Sequence, residues 1–128
     1  MFSHVMVGSN DLDRSKKFYD AMLGALGASP AVADSRGRLV YLHNRGCFMV
    51  KRPIDGQPAT HANGGTIGFA MNSPEQADTW HAAGVANGGV SIEDPPGVRE
   101  VAGGKIYLAY LRDPDGNKLC AVYRLPAG

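Results

Sequence analysis

Apolar and polar positions alternate strictly from Phe2 to Gly8, which predicts a strand with Phe2, His4, Met6 and Gly8 on one face and Ser3, Val5 and Val7 on the other. The period then changes. From Leu12 to Leu26 the apolar residues Leu12, Tyr19, Met22, Leu23 and Leu26 recur at helical spacing, with Asn10 or Asp11 placed to cap the helix and Gly24 and Gly27 to end it. Three extended runs follow, Ser29 to Asp34, Gly37 to His43 and Gly46 to Arg52, the last two joined by a turn around Asn44 and Arg45. A polar connector covers residues 53–62.

The same order of elements then recurs. Gly65 to Met71 alternates as the opening strand does, and Ser73-Pro74-Glu75-Gln76 is a helix start, with serine as cap, proline in the first turn and glutamine where a capping box wants it. Ala77, Trp80 and Gly84 are its predicted buried side. After Gly88 and Gly89 come a run from Val90, a strand from Lys105 to Arg112, the turn Asp113-Pro114-Asp115-Gly116, and a last strand from Asn117 to Tyr123. Phe18 to Trp80 and His4 to Thr66 are both steps of 62 residues, as a duplication requires. Gly46 to Gly116 is a step of 70, so the second copy carries extra residues before its final turn, around Asp94 to Gly104, where an exposed, mobile loop able to cover a pocket is expected.

Composition narrows the class. The 128 residues suit one domain with one core, divided into a first unit over 1–52, a connector over 53–62 and a second unit over 63–125. Thirteen Lys and Arg against twelve Asp and Glu give no electrostatic case for nucleic acid or an anionic membrane surface, and no apolar run is long enough to span a bilayer. A small-molecule ligand and a cytoplasmic location are expected. Cys47 and Cys120 lack zinc or redox spacing and read as free thiols.

Phe2-Ser3-His4-Val5, the helix start Leu12-Asp13-Arg14-Ser15-Lys16-Lys17-Phe18-Tyr19, Gly65-Thr66-Ile67-Gly68-Phe69 and the ending Arg112-Asp113-Pro114-Asp115-Gly116-Asn117-Lys118-Leu119 together resemble the vicinal oxygen chelate superfamily, which includes glyoxalases, extradiol dioxygenases and bleomycin-resistance proteins. The resemblance implies an α+β fold of two tandem βαβββ modules forming a curved mixed sheet. It also implies a divalent ion held by a His or Gln on the first strand, a His on the fifth, and a Glu on the last strand of each copy. Carried over position by position, His4 matches the first ligand, whereas Thr66 stands where the second histidine should, Cys120 where the final carboxylate should, and, by the hairpin step of 70, Val50 at the first copy's carboxylate. A hard ion finds no carboxylate there, and a softer one would have only His4 and a Cys120 thiolate, with His61 as a further weak candidate. A metal cofactor is therefore possible but disfavoured.

His4 is the candidate acid or base. Val50, Thr66, Cys120, Tyr41, Tyr107 and Tyr110 are expected to line the pocket, with Arg38 able to hold a carboxylate or phosphate. Plain core packing for the tyrosines and a hydrophobic role for Cys120 stay open. Two functions follow from the resemblance: a lyase or isomerase of a small oxygenated metabolite, with a dioxygenase less favoured, or a metal-free binding protein of bleomycin-resistance type. Exposed sheet edges and an open concave face suggest a homodimer.

Overall fold

The computed structural model describes residues 1–127. The first unit comprises β1 (Val5–Gly8), α1 (Leu12–Gly24), β2 (Val32–Ala33), β3 (Leu39–His43) and β4 (Gly46–Lys51). The second comprises β5 (Ile67–Ala70), α2 (Pro74–Ala86), β6 (Val90–Ser91), β7 (Gly97–Val101), β8 (Gly104–Arg112) and β9 (Lys118–Arg124). Asp11, not Asn10, caps α1, its carboxylate accepting the Arg14 amide at 3.1 Å. Ser73 Oγ accepts from the Gln76 amide at 3.1 Å, and Gln76 Oε1 reaches back to the Asn72 amide at 2.7 Å, so the capping box closes one residue earlier than its usual partner. Helix α1 stops at Gly24, short of the predicted Leu26, because Leu26 and Gly27 donate to the carbonyls three residues back in tight turns and Gly27 takes a φ of 92°.

Each unit begins with a strand, crosses over through its helix and returns to lay its last strand parallel to the first, a connection that a tight turn cannot make. The strand orders are β1-β4-β3-β2 and β5-β9-β8-β6, with β7 also beside β8. The fold is thus α+β, with two tandem modules, but the modules form two mixed sheets rather than one, since no strand ladder joins them among the described residues. The segment expected to be a mobile loop is also different. Residues 97–101 form β7, which pairs antiparallel with β8 from Gly97↔Leu108 to Val101↔Gly104, so most of the inserted length is spent on a hairpin whose backbone is hydrogen-bonded.

Ladder register decides which residues face the helices. Val5 lies opposite Phe48 and Val7 opposite Val50, and Ile67 lies opposite Leu119 and Phe69 opposite Ala121; these are the core-facing rows. A chain of rings crosses the boundary between the units: Phe48 and Phe69 centroids are 5.7 Å apart, and Phe69 and Trp80 6.2 Å. One core therefore serves both modules. It is tight where α1 meets α2, because a Cβ on Gly89 would stand 2.5 Å from Phe18 Cε1 and 2.8 Å from the Gly84 carbonyl.

The turn Asp113-Pro114-Asp115-Gly116-Asn117 binds the second module to the first. Buried Asp113 accepts the amides of Asp115 and Asn117 through Oδ1 and, through Oδ2, the Tyr19 hydroxyl at 2.5 Å. Asp115 Oδ1 accepts the Asn10 amide and the Arg14 guanidinium, both at 2.9 Å, and Asn117 Nδ2 donates to the Gly8 carbonyl at 3.3 Å. The most specific motif in the sequence is thus a clasp between modules.

Candidate functional site

The sheet faces turned away from the helices carry the candidate chemistry. On the first sheet Met6 lies opposite Met49 and Gly8 opposite Lys51; on the second Gly68 lies opposite Cys120 and Ala70 opposite Val122. His4 and Thr66 each stand one residue before their strand and continue the outward row by alternation. Cys120 lies opposite Gly68, which the duplication matches to Met6, so the first-module equivalent of Cys120 is Met49. Val50 points the other way. It is 0% exposed, lies in the core beneath α1, and lines no open pocket. The one-residue difference in register moves the side chain to the opposite face.

The four positions that hold a metal in the resemblance are therefore His4, Met49, Thr66 and Cys120: an imidazole, a thioether, a hydroxyl and a thiol. His4 is exposed, and its Nδ1 is 2.8 Å from Ser3 Oγ. Burial pushes the Cys120 thiol above its ordinary pKa; the nearby Lys118 ammonium opposes this and the Glu93 carboxylate adds to it, and the net result disfavours the thiolate a metal needs. No cluster of three or more His, Cys, Asp or Glu side chains able to hold a metal occurs among the described residues. This donor set does not fit the divalent ion of the resemblance, which needs carboxylate charge or at least three good ligands.

The remaining candidates separate by face. Tyr110 lies opposite Cys120 on the outward side, with Lys118 Nζ 5.0 Å above its ring; Lys118 also pairs with Glu93 from the segment before β7. Tyr41 and Tyr107 lie on the helix side instead. The Tyr41 hydroxyl donates to Asp20 at 2.8 Å, and the Tyr107 hydroxyl to Asp78 at 2.6 Å, a bond that pushes the phenol pKa up to about 12. Tyr107 therefore ties β8 to α2 rather than lining the outward face. Tyr41 does line a cavity, one of about 200 Å³ between the modules, walled by Val5, Leu26, Phe48, Ile67 and Phe69. Thr66 and His61 share another, of about 280 Å³, with Met6 and Lys118, and the His61 ring packs on Gly116.

Arg38 has company that the sequence reading missed. Its Nε donates to Asp34 Oδ2 at 2.6 Å, and it lines a groove of about 410 Å³ together with Arg36, Lys51, Arg52, Met6, Val7, Gly8, Pro53 and Ile54. Alternation carries Arg36 and Arg38 toward the start of β3, and Lys51-Arg52 closes β4, so the signal was two basic pairs at the ends of strands that turn out to be neighbours.

The α+β pair of modules can be set beside known proteins. The chain belongs to the glyoxalase/bleomycin resistance protein/dioxygenase superfamily, whose family model matches residues 1–121. It is similar to a glyoxalase/bleomycin resistance protein from Albidiferax ferrireducens T118, at 64% identity and a TM-score of 0.93, over 97% of this chain and 99% of that one. A glyoxalase-related enzyme from Fulvimarina pelagi shares the fold at 18% identity and a TM-score of 0.71, over 100% of this chain and 93% of that one. A family enzyme from Burkholderia phytofirmans PsJN does so at 19% and 0.69, over 96% and 98%. No curated protein matches. Among the described residues no helix is long and apolar enough to cross a membrane.

Proposed function

We propose that this chain is a metal-free member of its superfamily that binds and sequesters a small molecule on the outward sheet faces. One observation carries the reading: the positions His4, Met49, Thr66 and Cys120 offer a single imidazole and no carboxylate. Proton abstraction beside a carbonyl needs a base together with a group that stabilises the developing oxyanion. Among the described residues His4 has only the neighbouring Ser3 hydroxyl as a hydrogen-bond partner, so the competing reading as a lyase or isomerase rests on one exposed ring. Thr66, Cys120 and Tyr110 then act as pocket lining, and no step passes through a metal.

The reading extends to a cytoplasmic homodimer. Leu42, on the outward side of the first sheet, is 70% exposed, and a second copy seated there would remove it from water. A thermal-shift screen against hydroxy acids, thiol adducts and glycopeptide drugs tests the binding function, because a ligand selective for the native state raises the midpoint. The expected result is at least one stabilising compound recovered unchanged after prolonged incubation. Conversion of that compound to product would overturn sequestration in favour of catalysis.

A further inference from the structure

Arg36, Arg38, Lys51 and Arg52 converge on the groove beside β1 and β4, yet among the described residues the only carboxylate paired with any of them is Asp34. That carboxylate is already heavily used. Its Oδ1 accepts the amides of Arg36 and Arg38, both at 2.9 Å, and its Oδ2 accepts Arg38 Nε; the Arg38 amide is the largest cause of a pKa below the ordinary aspartate value. Among the described residues, Arg36, Lys51 and Arg52 have no ion-pair partner. A chain of net charge +1 therefore gathers three uncompensated cations, and a fourth whose terminal guanidinium nitrogens are free, around one hollow.

We propose that this groove binds a small organic anion, one with a doubly charged oxyanion end and an apolar body. The proposal names the ligand class of the sequestration reading and rests on it. Guanidinium forks from Arg36, Arg38 and Arg52 match the geometry of a phosphate monoester or paired carboxylates, and Lys51 adds a point charge. Met6, Pro53 and Ile54 line the same groove and give the body an apolar wall, with Ile54 95% exposed and free to be covered. The groove is continuous with the candidate site: Lys51 lies opposite Gly8 on the row that carries Met49 opposite Met6. Its size and the near-neutral chain around it favour a small anion over a polyanion, whose binding needs a track of cations along a surface.

The test follows backbone amide resonances of the full chain at low ionic strength, titrated with phenyl phosphate, with phenylsuccinate and with neutral phenol. Phenyl phosphate, phenylsuccinate or both should produce saturable shifts at Gly8 and Ile54, which identifies the oxyanion as phosphate or dicarboxylate; phenol should produce none. Arg36→Gln combined with Arg52→Gln, both at exposed positions, should weaken the response about tenfold or more, whereas Lys17→Gln at an exposed position of α1 should leave it unchanged. Equal shifts with phenol, no shift with either anion, or an unaltered response in the double variant would overturn the assignment. A neutral compound that stabilises the protein while both anions fail would sink the anion class and leave sequestration intact. Turnover of a bound anion would do the reverse.

Discussion

Cys47 and Cys120 are both free thiols, but they occupy unlike surroundings. Cys120 is buried opposite Gly68, near enough that a Cβ on Gly68 would stand 3.3 Å from its sulfur, and burial raises its pKa, whereas Cys47 is half-buried. A thiol reagent at pH 8 is therefore expected to label Cys47 rapidly and Cys120 only after denaturant is added; equal labelling of both in the native protein would contradict this placement. At the residue scale, Val50 and Tyr107 face the helix side where pocket lining was expected, and Val50 shows why. Counting from Gly46 to Gly116 assumed equivalent turns, but the first hairpin turns on two residues, Asn44 and Arg45, both at positive φ, and the second on five, residues 113–117. Turn length sets register, and a shift of one residue exchanges Met49 for Val50 and the outward face for the core.

At the scale of elements, Asp20 joins α1 to the strand layer. It accepts the Tyr41 hydroxyl from β3 at 2.8 Å, the Ala31 amide at 3.0 Å and the Lys16 ammonium at 2.5 Å. Burial alone would raise its pKa, but these three donors outweigh burial and lower it. A carboxylate depressed in the folded state stabilises fully above the ordinary aspartate range, near pH 4, and loses that contribution as pH falls through its lower folded value. Asp20→Asn should cost about 1 kcal/mol at pH 7 in urea unfolding and lack the Asp20 share of the acid-induced loss, so the gap to the parent protein narrows toward pH 2. A gap that widens in acid would contradict the sign.

Most elements were legible because their signals are local. The caps at Asp11 and Ser73, the alternation in β1 and β5, and the Ala77, Trp80 and Gly84 face of α2 all depend on neighbours within one turn or strand. Strand β7 was not, because Gly97, Gly103 and Gly104 read as loop; its pairing with β8 across an Ala102-Gly103 reversal is what orders it.

For the whole molecule, one core and one clasp hold the modules together. Asp113→Ala would leave the deeply buried Tyr19 hydroxyl without its acceptor and free the amides of Asp115 and Asn117. A loss of about 3 kcal/mol is expected, with unfolding still a single transition, since the rings from Phe18 to Trp80 span both modules. Two transitions would show the modules to be separately stable. The same long-range geometry hid the basic groove from sequence reading: Arg36, Arg38, Lys51 and Arg52 become neighbours only when β3 lies against β4, and isolated charges at strand ends read as solvated surface.

The positions that hold a metal in the resemblance offer one good donor, the His4 imidazole. Calorimetric titration of the chelator-treated chain with Ni²⁺, Zn²⁺ and Mn²⁺, paired with elemental analysis of untreated protein, tests this most directly. Less than about 0.1 equivalent of retained metal and no saturable site tighter than about 10 µM are expected, since a thioether, a hydroxyl and a protonated thiol add little to one imidazole. One equivalent per chain, bound at submicromolar concentration and released by His4→Ala, would contradict it.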